Sequence, residues 1–69
     1  MLTERELETL RYAAEGFNNE AIASLLYVEK TTVNAHLNTI YKRLKIKESQ
    51  NPRVCAVLWY LKNKKKRKN

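Results

Sequence analysis

Glycine, proline, cysteine and histidine each occur once in the 69-residue chain, and each scarcity excludes a class of chemistry. One cysteine and one histidine cannot close a tetrahedral metal site within a single chain, and no intramolecular disulfide can form. A reducing, intracellular setting fits best. A single glycine leaves no glycine-rich loop to cradle phosphates and no flexible linker. There is also no nucleophile beside a base and no carboxylate pair in an apolar setting. Glu4, Glu6 and Glu8 read as surface acids of one helix, so no enzyme is expected and no cofactor. The longest apolar run, Val54 to Leu61, is far short of the roughly 18 residues that span a bilayer, and nothing resembles a cleavable signal. The chain is therefore expected to be soluble and cytoplasmic, with no membrane partner.

What is abundant is positive charge, and its placement is uneven. Residues 1–29 carry six glutamates against Arg5 and Arg11, whereas residues 30–69 carry nine lysines and three arginines against Glu48 alone; the whole chain is +7. A basic half joined to an acidic half points to a polyanion on one side, because phosphate contacts supply most of non-specific nucleic-acid affinity. The plainer alternative is a solvated lysine-rich surface.

No repeat and no convincing period-two alternation is present, so the chain reads as helical. One small domain of this length buries about 60% of the surface its unfolded chain exposes. A first helix over about 4–15 is signalled by Thr3 as N-cap, Glu6 closing a capping box, a Leu2–Leu7 staple and Gly16 as a left-handed stop, with Leu7, Leu10 and Ala14 along one side. Asn18 or Asn19 caps a second helix, about 19–26, with Ile22, Leu25 and Leu26 inward. After a four-residue turn the helical pattern resumes near Thr31 or Thr32 and runs to about 45, with Val33, Leu37, Ile40 and Leu44 in one narrow stripe. Asn51 and Pro52 punctuate the start of a fourth helix, about 52–63. Its expected core face is Val54, Val57, Leu58 and Leu61; Cys55, Ala56, Trp59 and Tyr60 would then form an outer apolar face for self-association. From Lys62 the sequence KNKKKRKN has no apolar residue. Residues 1–61 are thus taken as the domain and 62–69 as a basic, disordered tail, either a solvated end or a phosphate-binding arm.

Two short helices around a tight turn, the second longer and polar outside, match a helix-turn-helix whose second helix enters the major groove of double-stranded DNA. Opposite the Val33 stripe stand Thr31, Asn34, Ala35, Asn38 and Lys42. Asparagine can donate and accept at once, as adenine requires, and an alanine methyl can rest on a thymine methyl. Asn34, Ala35 and Asn38 are therefore the expected base contacts. Lys42, Arg43 and Lys45 are expected at phosphates, together with Asn19, Lys30, Thr31 and Thr32 at the other end. The bland alternative is a solvent-facing polar side. However, two poor helix formers four apart beside an exposed alanine are not what stability alone would select.

The segment from Leu2 to Ile46 also resembles the DNA-binding domain of the LuxR/FixJ/GerE family. The residues that carry the likeness are LTEREL, Gly16, AIASLL, and TV followed by His36, Ile40 and Leu44, all in register. The resemblance implies an all-α, four-helix domain of LuxR type whose third helix reads DNA and whose fourth commonly pairs two domains. It implies base contact at Asn34, Ala35 and Asn38, and a place near the sugar-phosphate backbone for His36, whose plainer role is packing. The partners expected are double-stranded DNA, a second copy of the chain through the fourth helix, and RNA polymerase. The sequence departs from the family pattern in several places. Glu29 stands where a serine cap is usual, leaving the cap to Thr31 or the turn backbone. Glu20 and Ala21 replace a lysine and a glutamate. Lys45 replaces a glycine, so a left-handed residue there would have to be supplied differently. The loop before Arg53 is about four residues longer. A transcription regulator, either free-standing or the output part of a response regulator, is the leading expectation. The competing ones are a sigma-factor-like promoter reader and a protein-interaction module using the apolar fourth helix.

Overall fold

The capping signals of the sequence are made in full. Thr3 Oγ1 accepts from the Glu6 N–H at 3.1 Å, and Glu6 Oε1 accepts from the Thr3 N–H at 2.9 Å. Asn18 Oδ1 accepts from the Ala21 N–H, and Asn51 Oδ1 from the Val54 N–H. They start three of the four helices in the computed structural model, which describes residues 2–67. The helices are α1 (Glu4–Ala14), α2 (Asn19–Leu26), α3 (Lys30–Arg43) and α4 (Pro52–Arg67). No strand occurs among the described residues. The fold is all-α, as the periodicity requires. None of these helices is long and apolar enough to cross a membrane.

The first three helices stop in the same way. Gly16 at φ +97°, Tyr27 at φ +59° and Lys45 at φ +56° all take up the left-handed conformation. Just after each, the N–H of Phe17, Val28 and Ile46 reaches back five residues to Tyr12 O, Ala23 O and Tyr41 O at 3.0–3.2 Å. These are Schellman closures, in which an apolar residue follows the left-handed one and turns back toward the helix. Glycine enters the left-handed region without penalty; tyrosine and lysine carry a Cβ that disfavours it. Lys45 thus adopts, with a side chain, the conformation that the missing glycine would have supplied. At the start of α3, Glu29 occupies the cap position without a side-chain cap bond. Its carbonyl accepts from Thr32 and Val33 instead. Neither Thr31 nor Thr32 starts the helix, which begins at Lys30 and ends at Arg43 rather than Lys45.

The core is built from Leu2, Leu10, Ala13, Ile22, Ala23, Leu26, Val33, Leu37, Ile40 and Ala56, with Leu10, Ile22, Val33, Ile40 and Ala56 fully covered. Thr9 is buried too and returns its hydroxyl to Arg5 O at 2.9 Å. Glu6 is buried between its capping bond and the Arg43 guanidinium, whose Nε lies 3.7 Å from Glu6 Oε2. Leu25, expected inside, is 43% exposed. Among the described residues no buried side-chain polar atom lacks a partner.

Helix α4 is rotated relative to the expectation. Ala56 is fully buried and Val57, Trp59 and Tyr60 pack against the core, while Val54, Leu58 and Leu61 are 53%, 60% and 43% exposed. Val57 faces inward as predicted, but Val54, Leu58 and Leu61 change places with Ala56, Trp59 and Tyr60, and Ala56 is withdrawn from any self-association surface. Two physical reasons favour this rotation. Ala56 lets the α4 backbone approach α1, its main neighbour, and the flanking aromatic rings then cover more apolar area than leucine and valine would. Arg53, about 60° around the helix from Ala56, is also turned inward to reach its partners. The chain stays helical through Arg67, four residues beyond the expected end. Lysine and arginine are good helix formers, and Asn63 Nδ2 donates to Trp59 O at 2.8 Å. Lys68 and Asn69 lie outside the described residues.

Candidate nucleic-acid interface

The candidate site is the outer side of α3. Because Val33, Leu37 and Ile40 are pinned in the core, the 100° step of the helix sends Thr31, Asn34, Ala35, Asn38 and Lys42 outward. All five are exposed. Thr32 and His36 are half-covered on the flanks, and Lys30 and Lys45 lie exposed at the two ends. Thr39 folds its hydroxyl back onto Ala35 O at 3.0 Å, which removes it from the outer row and leaves the Ala35 methyl bare. At 14 residues α3 is about 21 Å long, and a helix fits the roughly 12 Å width of the major groove.

Arg43 is not on this side. It lies nine residues from Asn34, about 180° around the helix, where it forms the ion pair with Glu6 across the α1–α3 interface. The guanidinium, expected at a phosphate, therefore leaves the outer row and stands against Glu6, half exposed. Of the basic residues near the end of α3, Lys42 and Lys45 remain on or beside the outer row.

A polar cluster that the sequence did not announce stands beside the row. Arg53, in the first turn of α4, donates through one terminal nitrogen to Asn19 Oδ1 at 2.6 Å and through the other to Phe17 O at 2.9 Å. Its guanidinium also neighbours the Tyr41 hydroxyl. Burial pushes the Tyr41 pKa above its ordinary value of 10.0, and the neighbouring guanidinium opposes that shift. Asn19 then donates from Nδ2 to Asn34 Oδ1 at 2.6 Å. Asn19, expected at a phosphate, is thus half-buried and bonded between α4 and α3. A single side chain ties the start of α2, the end of α1, α3 and α4 together around Asn34. Arginine has five donors in a planar fork, which suits it to such a junction. The only signal in sequence was the spacing of Arg53 after Pro52, which says nothing of its partners.

Helix α2, the turn at Tyr27–Glu29 and the outward row of α3 define the domain as a helix-turn-helix of DNA-binding type. A profile of the family described as bacterial regulatory proteins, luxR family, matches residues 1–59. The chain belongs to that family of DNA-binding transcription regulators. It is 36% identical over 61 residues to the nitrate/nitrite response regulator protein NarP of Escherichia coli, covering 88% of this chain and 26% of NarP. It is 40% identical over 48 residues to the response regulator protein VraR of Staphylococcus aureus, covering 70% of this chain and 23% of VraR. VraR of Staphylococcus saprophyticus matches to the same extent. The chain thus spans about a quarter of the length of the curated relatives it matches. No solved structure is a significant match.

Proposed function

We propose that this chain binds double-stranded DNA sequence-specifically, with α3 in the major groove, as the DNA-reading part of a bacterial response regulator. Asn34, Ala35 and Asn38 meet base edges, while Lys30, Thr31, Thr32, Lys42, Lys45 and the Asn19 end of α2 face phosphates. The observation that carries the reading is the exposed row of two amides, a methyl and flanking cations on a helix whose other side is locked in the core. Base edges take the amides and the methyl, and phosphates take the cations. The names of NarP and VraR support the response-regulator assignment, which also puts the chain in the cytoplasm with the genome. RNA polymerase is a natural second partner of such a regulator.

The exposed Val54, Leu58 and Leu61 of α4 supply the contact between two copies. A continuous apolar row on a helix of so small a domain calls for cover, and a two-fold dimer presents the same row from both sides. Selection of bound DNA from a random pool tests the proposal. A defined consensus is expected, with two inverted half-sites if the dimer forms. Asn34→Ala and Asn38→Ala should each relax one position by about 1–3 kcal/mol. A uniform loss on all sequences would refute base reading by these residues.

A further inference from the structure

We propose that the Arg53–Asn19–Asn34 chain is a polarity relay that fixes which way the Asn34 amide faces and so restricts the bases it accepts. This rests on α3 lying in the groove. A guanidinium is a donor only. Asn19, bonded to Arg53 at 2.6 Å, must therefore present its carbonyl oxygen to it. Its NH2 group is then turned toward α3, where it donates to Asn34 Oδ1 at 2.6 Å. With its oxygen engaged by Asn19, Asn34 turns its own NH2 outward into the exposed row.

An asparagine free to rotate serves adenine with both groups at once, accepting from N6 and donating to N7. One whose carbonyl is bonded to a neighbour offers the groove a donor. Guanine, thymine and adenine each place an acceptor on the major-groove edge, whereas cytosine places only its N4 donor there. The relay therefore makes Asn34 a residue that excludes cytosine from the base it faces. Arg53 and Asn19 act as positioning residues for specificity without touching the base. The anchor of the relay sits in the first turn of α4, so the helix proposed to join two copies also orients the base-reading amide.

The test is the polarity of the relay. Asn19→Asp keeps the size of the side chain and its bond to Arg53 but offers Asn34 an acceptor in place of a donor. Asn34 should then turn its NH2 inward and its carbonyl outward. In random-pool selections with the 69-residue chain, Asn34→Ala first locates the base pair that Asn34 reads. At that position the wild-type chain should disfavour cytosine by about tenfold or more. Asn19→Asp should abolish that handicap and admit cytosine and adenine, whatever uniform loss its added negative charge brings. If Asn34→Ala relaxes a position while Asn19→Asp leaves the handicap of cytosine unchanged, the relay is overturned and base reading stands. If Asn34→Ala relaxes no position, both are overturned. A measurement on the unmodified free chain is independent of variant folding. Side-chain amide protons of Asn19 should exchange with solvent more slowly than those of Asn34, and the reverse order overturns the relay.

Discussion

The orientation of α4 is open to a decisive pair of substitutions. Ala56 is fully buried, whereas Leu58, two residues on, is 60% exposed. Ala56→Leu adds three carbons to a packed interior and should cost about 1–3 kcal/mol through overpacking. Leu58→Ala removes a side chain that withdraws less than half its surface from water, and with about 1.5–3 kcal/mol for a fully buried leucine the cost should be below about 1 kcal/mol. In a domain of 60–100 residues each kcal/mol moves the melting temperature by about 4–8 °C, so Ala56→Leu should lower Tm by about 4–24 °C and Leu58→Ala by less than about 8 °C. Melting followed by circular dichroism at low micromolar concentration keeps dimer formation from adding its own stabilisation. At high concentration the ranking gains a second readout, since Leu58→Ala should reduce the dimer population in sedimentation while Ala56 variants that fold should not. Greater destabilisation by Leu58→Ala than by Ala56→Leu in the dilute chain would overturn this orientation. That result would mean that the inward face is the Val54–Leu58–Leu61 face after all.

Tyr27, 93% exposed at φ +59°, packs on little while holding a conformation that costs a side chain about 1 kcal/mol. Tyr27→Gly should therefore raise Tm by several degrees, and Tyr27→Val should lower it. Lys42→Ala should weaken binding to all DNA sequences alike and flatten the salt slope by about 1. Arg43→Ala should leave that slope unchanged and cost about 1 kcal/mol of folding stability, a value kept small because the arginine is half exposed. Tyr41 has a folded-state pKa above its unfolded value, so its contribution to stability is intact below about pH 10 and declines as pH rises through the folded pKa. Denaturant midpoints of wild type and Tyr41→Phe should accordingly run parallel at neutral pH and converge or cross only in the alkaline range.

Much of the fold was legible because it is written in local rules. Thr3 with Glu6, Asn18, and Asn51 with Pro52 mark helix starts through bonds that span three residues. The Val33, Leu37 and Ile40 stripe, once buried, leaves Asn34, Ala35 and Asn38 nowhere to point but outward. The stops at Tyr27 and Lys45 were harder to read because neither is a glycine. The apolar residue after each, Val28 and Ile46, was the available sign. Helix α4 defeated pattern reading for a different reason: both of its faces are apolar, so periodicity had two equal solutions. The basic run after Lys62 has no apolar face to signal a helix, yet its residues favour helix continuation.

From the chain alone, then, came the number and order of the helices, the inward stripe of α3 and the amide row opposite it, all set by interactions between residues at most a few positions apart. Tertiary structure decided which side of α4 faces inward, that Arg43 meets Glu6 across the α1–α3 interface, and that Arg53 reaches 34 residues back to Asn19. Those outcomes depend on the shape of a neighbouring helix and on which donor meets which acceptor across the bundle. Neither is encoded in the spacing of residues along one helix.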